Sequence, residues 1–192
     1  MANKISDLTI RDLDGALQEL GERYSHFHDD DLFVLWFLRA YVTDSEDRAA
    51  ESITGGSKDK GVDALLVDDA ARAIFIVQGK YHLSNKFSEP RSHIIALADL
   101  GRSIVSDRRE SFQALLNKAN PIVKKLLEES HNLIHKRNYQ LVLRYVTTGK
   151  ISKTHFEEGE SRFEDFDNAR FETYSFNDLM KLMQDYIKSL NE

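Results

Sequence analysis

The sequence has no cysteine and only two prolines, Pro90 and Pro121. Without cysteine there is no disulfide scaffold, no thiolate zinc site and no cysteine nucleophile, and the composition suits a reducing cytoplasm. There is no Gly/Ser-rich linker and no internal repeat, so the 192 residues read as a single domain. No run approaches the roughly 20 apolar residues that cross a bilayer, and the first residues lack the apolar stretch of a signal peptide. A basic excess is missing too. The 32 acidic residues outnumber the 26 basic ones, and the net charge of -6 excludes strong attraction to nucleic acid through total charge alone. What is present is 41% hydrophobic and 30% charged, the balance of a globular chain that can bury a core without staples.

Residues 10–24 carry Ile10, Leu13, Leu17, Leu20 and Tyr24 at spacings of three and four, which predicts a helix. Asp29, Asp30 and Asp31 offer cap and first-turn carboxylates for a second helix over about 31–43. That helix is apolar nearly all round, with Trp36 among its residues, so it belongs in the core. Asp44–Thr54 suits either a short helix or a strand lead-in. A polar glycine loop, Gly55–Gly61, precedes two strand-like runs, Val62–Val67 and Ala73–Tyr81, with a turn between them. A helical tract over about 91–117 and a helix opened by Pro121 come next. Tyr139–Thr148 is rich in β-branched and aromatic residues and predicts a strand. Residues 149–168 read as acidic loop with a short helix, and Arg170–Tyr174 as a last strand. Ser175 or Asn177 then caps a final helix with Leu179, Leu182, Met183, Tyr186 and Leu190 on one stripe. Helices alternating with strands in this way predict a mixed α/β sheet flanked by helices.

The two central strands hold unexpected polar residues. Gln78 and Lys80 share a strand face with Ile74 and Ile76, because residues two apart point the same way. A two-residue turn at Ala70-Ala71 sets Asp69 opposite Arg72 and, further along, Asp63 opposite Gln78. Opposed side chains lie about 5 Å apart on one face. A carboxylate, an amide oxygen and an ammonium then converge. Asp63 is a hard oxygen ligand of the kind Mg²⁺ takes, Gln78 adds a neutral oxygen, and the Gly79 carbonyl can reach the same ion. Lys80 can offset charge on a scissile phosphate. The same three residues would also suit the solvated face of a hairpin. Against that stands Gly79, since glycine inside a strand marks close approach of a ligand or a backbone. The glycine loop lacks the Lys-Ser/Thr end of a phosphate-binding P-loop.

Gly61-Val62-Asp63 followed by Gln78-Gly79-Lys80 resembles the core of the restriction-endonuclease-like, or PD-(D/E)xK, nucleases, with Gln in the place typical of the Mrr-like branch. The order of apolar helix, glycine loop, Asp strand, QxK strand, long helices and later strand is similar to the N-terminal domain of AIPR (abortive infection phage resistance) proteins. The resemblance covers about 30–150, and its specific motif lies within 61–81. It implies a restriction-endonuclease-like mixed sheet and Mg²⁺- or Mn²⁺-dependent endonuclease cleavage of DNA, in the cytoplasm and in anti-phage defence. Asp63 takes the metal-ligand role, Gln78 the place of the second acid, and Lys80 that of the catalytic lysine. Family members often add an acid from the preceding helix: Asp31 here, with Asp30 and Glu51 as rivals. Lys58, Lys60 and Tyr81 are the implied nucleic-acid contacts. Two departures stand out. Gln78 removes a negative charge from the site, and AIPR proteins are longer than this chain, which makes it a possible N-terminal part of a longer protein. A homodimer or further domains would serve duplex cleavage. The alternative is a catalytically weak or inactive nuclease-fold module that binds nucleic acid or protein.

Elsewhere, Lys124-Lys125 and His135-Lys136-Arg137, with Arg102, Arg108 and Arg109, are the densest basic spots. They suit phosphate contacts or, more simply, solvated helix faces. No HExxH motif is present.

Overall fold

A computed structural model describes residues 9–55 and 61–189. Residues 1–8, the loop residues 56–60 with Lys58 and Lys60, and Leu190 lie outside the described residues, as does the side chain of Tyr186. Helix α1 (Ile10–Arg23) starts where Thr9 accepts the Arg11 N–H and Asp12 accepts the Thr9 N–H at 2.6 Å. This reciprocal cap satisfies N–H groups that a helix start leaves bare. Helix α2 (Asp29–Tyr41) begins two residues earlier than the spacing suggested, with His28 at its N-cap. Leu32 to Leu38 are all buried, as expected of a helix apolar on every side. The ambiguous stretch 44–54 proves to be both alternatives in succession. Ser45 caps α3 (Glu46–Glu51), and Ile53 then bridges antiparallel to Ala64.

Four strands form one mixed sheet in the order β1 (Ala64–Asp68), β2 (Ala73–Lys80), β3 (Gln140–Thr147), β4 (Ala169–Tyr174). The first pair is antiparallel and the other two are parallel. Ala64 faces Val77 and Asp68 faces Ala73, which is the expected register. The turn is wider than expected and takes Asp69 to Arg72. Asp68 Oδ1 accepts the N–H groups of both Ala70 and Ala71 at 3.0 Å, and Arg72 adopts a φ of +50°. Asp at this position mimics a backbone turn, which explains why the register survives the extra width.

Parallel neighbours need long crossovers. Helices α4 (Arg91–Val105), α5 (Arg109–Leu116) and α6 (Pro121–Arg137) carry the chain from β2 to β3. Helix α7 (Lys153–Glu160) and a 3-10 turn, Ser161–Phe163, carry it from β3 to β4, and α8 (Phe176–Ser189) follows. The expected single tract over 91–117 is thus two helices. Ser106 turns extended (ψ 143°), and its hydroxyl accepts the Arg108 N–H at 3.2 Å. On one face of the sheet Ile74, Ile76, Leu141 and Leu143 pack against α4 and α6. On the other, Val77 and Val146 pack against α1, α2 and Leu179 and Met180 of α8. Each fully buried Leu or Ile contributes about 1.5–3 kcal/mol of transfer free energy. The fold is the expected mixed α/β sheet between helical layers. Among the described residues no helix is long and apolar enough to cross a membrane.

Candidate active site

The polar residues of β2 lie at its C-terminal end, beside the end of β3 and the start of β1. Ends of parallel strands are where open α/β sheets hold ligands, because the helices that follow leave a crevice there. Asp63 stands at the entrance to β1. Its N–H donates to the carbonyl of Val77 at 3.0 Å, although Val77 is already the ladder partner of Ala64. Two consecutive residues therefore address one, which is the geometry of a bulge and re-aims the Asp63 side chain. Asp63 Oδ2 accepts the Gly79 N–H at 2.8 Å. The carboxylate thus continues the ladder where the β1 backbone has ended. Segment 53–54 buttresses it: Asp63 C=O accepts the Thr54 N–H at 3.0 Å, and the Thr54 hydroxyl donates to the Val62 carbonyl.

Gly79 faces α2. A Cβ there would collide with the side chain of Val34, so glycine serves close helix–strand approach. N–H and C=O of one strand residue point to the same side, so the Gly79 carbonyl points toward the β1 edge where Asp63 sits. Gln78 lies on the opposite face, the one covered by α4, and is buried at 9% exposure. It packs under Gly61, whose φ is +77°. A Cβ on Gly61 would stand 2.7 Å from Gln78 Nε2, so both conformation and space call for glycine.

Lys80 Nζ reaches to 3.7 Å from Asp30 Oδ2, with both side chains partly exposed. Asp30 Oδ1 accepts the Tyr81 N–H at 2.7 Å. Asp30, not Asp31, is therefore the acid that α2 brings to this end of the sheet. Asp31 Oδ2 turns back to accept the N–H of His28 at 3.1 Å and caps its own helix. The choice depends on where the helix starts, two residues earlier than expected. Glu51 is exposed on α3. Tyr81 donates its hydroxyl to Asp14 of α1, and burial, then Asp14 and Asp29, push its phenol well above the usual range. Its ring lies 5.9 Å from that of Phe33, and the residue remains partly exposed. Lys58 and Lys60 fall outside the described residues.

One participant escaped the sequence reading. Glu89, just before α4, is 3% exposed. Its Oε1 accepts from Thr147 Oγ1 at 2.5 Å and from His82 Nε2 at 2.7 Å, and its Oε2 from Tyr145 OH at 2.7 Å. Burial pushes the Glu89 carboxyl up, but the bonds from Thr147, Tyr145 and His82 outweigh it and hold the group below its ordinary value. Glu89 is therefore an ionised carboxylate in the interior. Tyr145 pairs with Gln78, and Thr147 with Lys80, in the β2–β3 ladder. The signal was there in outline: Tyr145 and Thr147 carry hydroxyls two apart on the strand face that Leu141 and Leu143 otherwise make apolar.

The donor set at this end is Asp63, the Gln78 amide and the Gly79 carbonyl, all hard oxygens. A carboxylate oxygen has two lone pairs, so Asp63 can accept from Gly79 and still face a cation. Among the described residues no group of three or more His, Asp or Glu side chains is placed to hold a metal. One carboxylate with neutral oxygens is a donor set of the kind Mg²⁺ takes, with water and phosphate as its remaining ligands. The basic residues lie elsewhere, on α4, α5 and α6. Lys125 pairs with Glu129, and His135 faces Asp107 and the Ile104 carbonyl. In the acidic segment Glu158 grips Arg91 and Arg162. No protein-family model, no curated protein and no solved structure matches this chain.

Proposed function

We propose that this domain is a metal-dependent endonuclease that hydrolyses DNA phosphodiesters by the chemistry of the PD-(D/E)xK nucleases. The observation that carries this reading is the meeting of Asp63 with the Gln78-Gly79-Lys80 strand end, through the 2.8 Å bond from Gly79 N–H to the Asp63 carboxylate. Asp63, the Gln78 amide oxygen and the Gly79 carbonyl would hold Mg²⁺ or Mn²⁺. Such an ion supplies Lewis acidity and lowers the pKa of water. Gln78, buried and packed under Gly61, orients an attacking water through its amide. Lys80 offsets the charge that builds on the phosphate as water adds and the bond to the leaving oxygen breaks. Its contact with Asp30 is a partly exposed ion pair, worth less than about 1 kcal/mol. The ammonium can therefore exchange Asp30 for phosphate at little cost. The similarity in element order to AIPR proteins supports a cytoplasmic role against phage DNA.

A second reading draws on the donor set. With one carboxylate and one amide at the strand ends, the domain can keep the fold and bind nucleic acid without cutting it. Supercoiled plasmid incubated with Mg²⁺ or Mn²⁺ separates the two. The nuclease reading expects nicking that chelation, Asp63→Ala and Lys80→Ala each abolish. DNA retained on the protein with no nicking under either ion would favour the binding module.

A further inference from the structure

The donor set holds one carboxylate, Asp63, and the interior carries a second negative charge from another element. We infer that Glu89 supplies that second charge, acting as a positioning residue that raises the affinity of the Asp63–Gln78 site for a divalent cation. This rests on the cation reading above. Alternation puts Gln78, Tyr145 and Thr147 on the α4 face, where Ile74, Ile76, Leu143 and Tyr145 join one core, while the Lys80 ammonium reaches Asp30 of α2. Glu89 is thus joined, through one hydroxyl each, to the ladder partners of Gln78 and Lys80. Among the described residues its donors are two hydroxyls and an imidazole, with His93 Nδ1 at 3.8 Å and no Lys or Arg. An ionised carboxylate without a permanent cation projects its field through a low-dielectric interior. The phenol of Tyr145 registers that convergence. Burial first, then Glu89, Asp63 and Asp30, drive it far above the usual range.

The direct probe neutralises the carboxylate with Glu89→Gln, which keeps its size and its ability to hydrogen-bond. Mn²⁺ is titrated calorimetrically into the full chain at pH 8, above the ordinary imidazole range. Glu89→Gln should weaken Mn²⁺ binding about tenfold or more. Adding Gln78→Glu to it should restore the affinity, which repair of a merely structural defect would not do. Tyr145→Phe and Thr147→Val keep the charge and remove one donor each. Both should bind within about threefold of wild type, and they carry the test if Glu89→Gln fails to fold. Wild-type affinity in Glu89→Gln, or a tenfold loss in either donor variant, overturns the inference while leaving the cation site intact. Absence of Mn²⁺ binding by the wild type would overturn the cation reading itself.

Discussion

Adjacent residues of strand β3 meet two buried centres of opposite charge, Arg144 itself and, through Tyr145, Glu89, and the fold treats them differently. Arg144 points to the α2 face at 9% exposure. It donates to Glu172 at 2.8 Å, reaches the Tyr41 carbonyl at 3.4 Å, and lies 5.0 to 5.8 Å from the rings of Phe75, Tyr174 and Phe37. Its charge is cancelled within the fold and cushioned by aromatic faces. Its neighbour Tyr145 points the other way and hydrogen-bonds Glu89, whose donors are hydroxyls and a histidine. The first arrangement fastens β3 to β4 and α2. The second fastens β3 to the segment before α4. A buried charge with its own counter-ion serves the scaffold, and Glu89, held by hydroxyls and a histidine, is the one we assign to the cation site.

Breaking the cancelled pair should have the largest effect on stability. Arg144→Met takes away the buried partner of Glu172, leaving it Arg170 and Tyr174, and should cost up to about 3 kcal/mol in denaturant unfolding, with Glu172→Met in the same chain recovering most of it. A loss under about 1 kcal/mol would mean that the aromatic box, not the charge pair, holds this corner.

Acid should affect both centres in the same direction and to a smaller extent. Glu172 is pushed up by burial, but the Arg144 charge and hydrogen bond, with help from Tyr174, bring it below its ordinary value. Glu89 is lowered too. For carboxylates lowered in the folded state, stability is fully present above the unfolded value of about 4.3 and is lost as pH falls through the folded value. Stability should therefore be level from neutral pH to about 5 and fall below it. Glu89→Gln and Glu172→Gln should each flatten the acid limb of an unfolding-against-pH curve. An unchanged acid slope in both would show that other carboxylates govern it.

Much of this was legible in the sequence, for identifiable reasons. Apolar spacing revealed α1 and α2, and turn chemistry with two-residue alternation was enough to set the β1–β2 register. That register holds as far as Ala64 and Val77; at Asp63 a bulge replaces the expected opposition to Gln78, and the carboxylate meets the Gly79 N–H instead. Other features needed three dimensions. The α4–α5 break has no Gly or Pro to announce it, because Ser106 ends the helix through its own hydroxyl. The acid at the start of α2 shifts from Asp31 to Asp30 because His28 takes the cap. Glu89 lies nine residues beyond Lys80, after a loop that no periodicity describes, and its partners Tyr145 and Thr147 come from the far end of a three-helix crossover.

The cation site at Asp63 is tested most directly by counting Mn²⁺ ions bound per chain, by electron paramagnetic resonance, in wild type, Asp63→Asn and Glu172→Gln. The account predicts one ion in the wild type, its loss in Asp63→Asn and its retention in Glu172→Gln. An ion that survives Asp63→Asn, or none in the wild type, would contradict it.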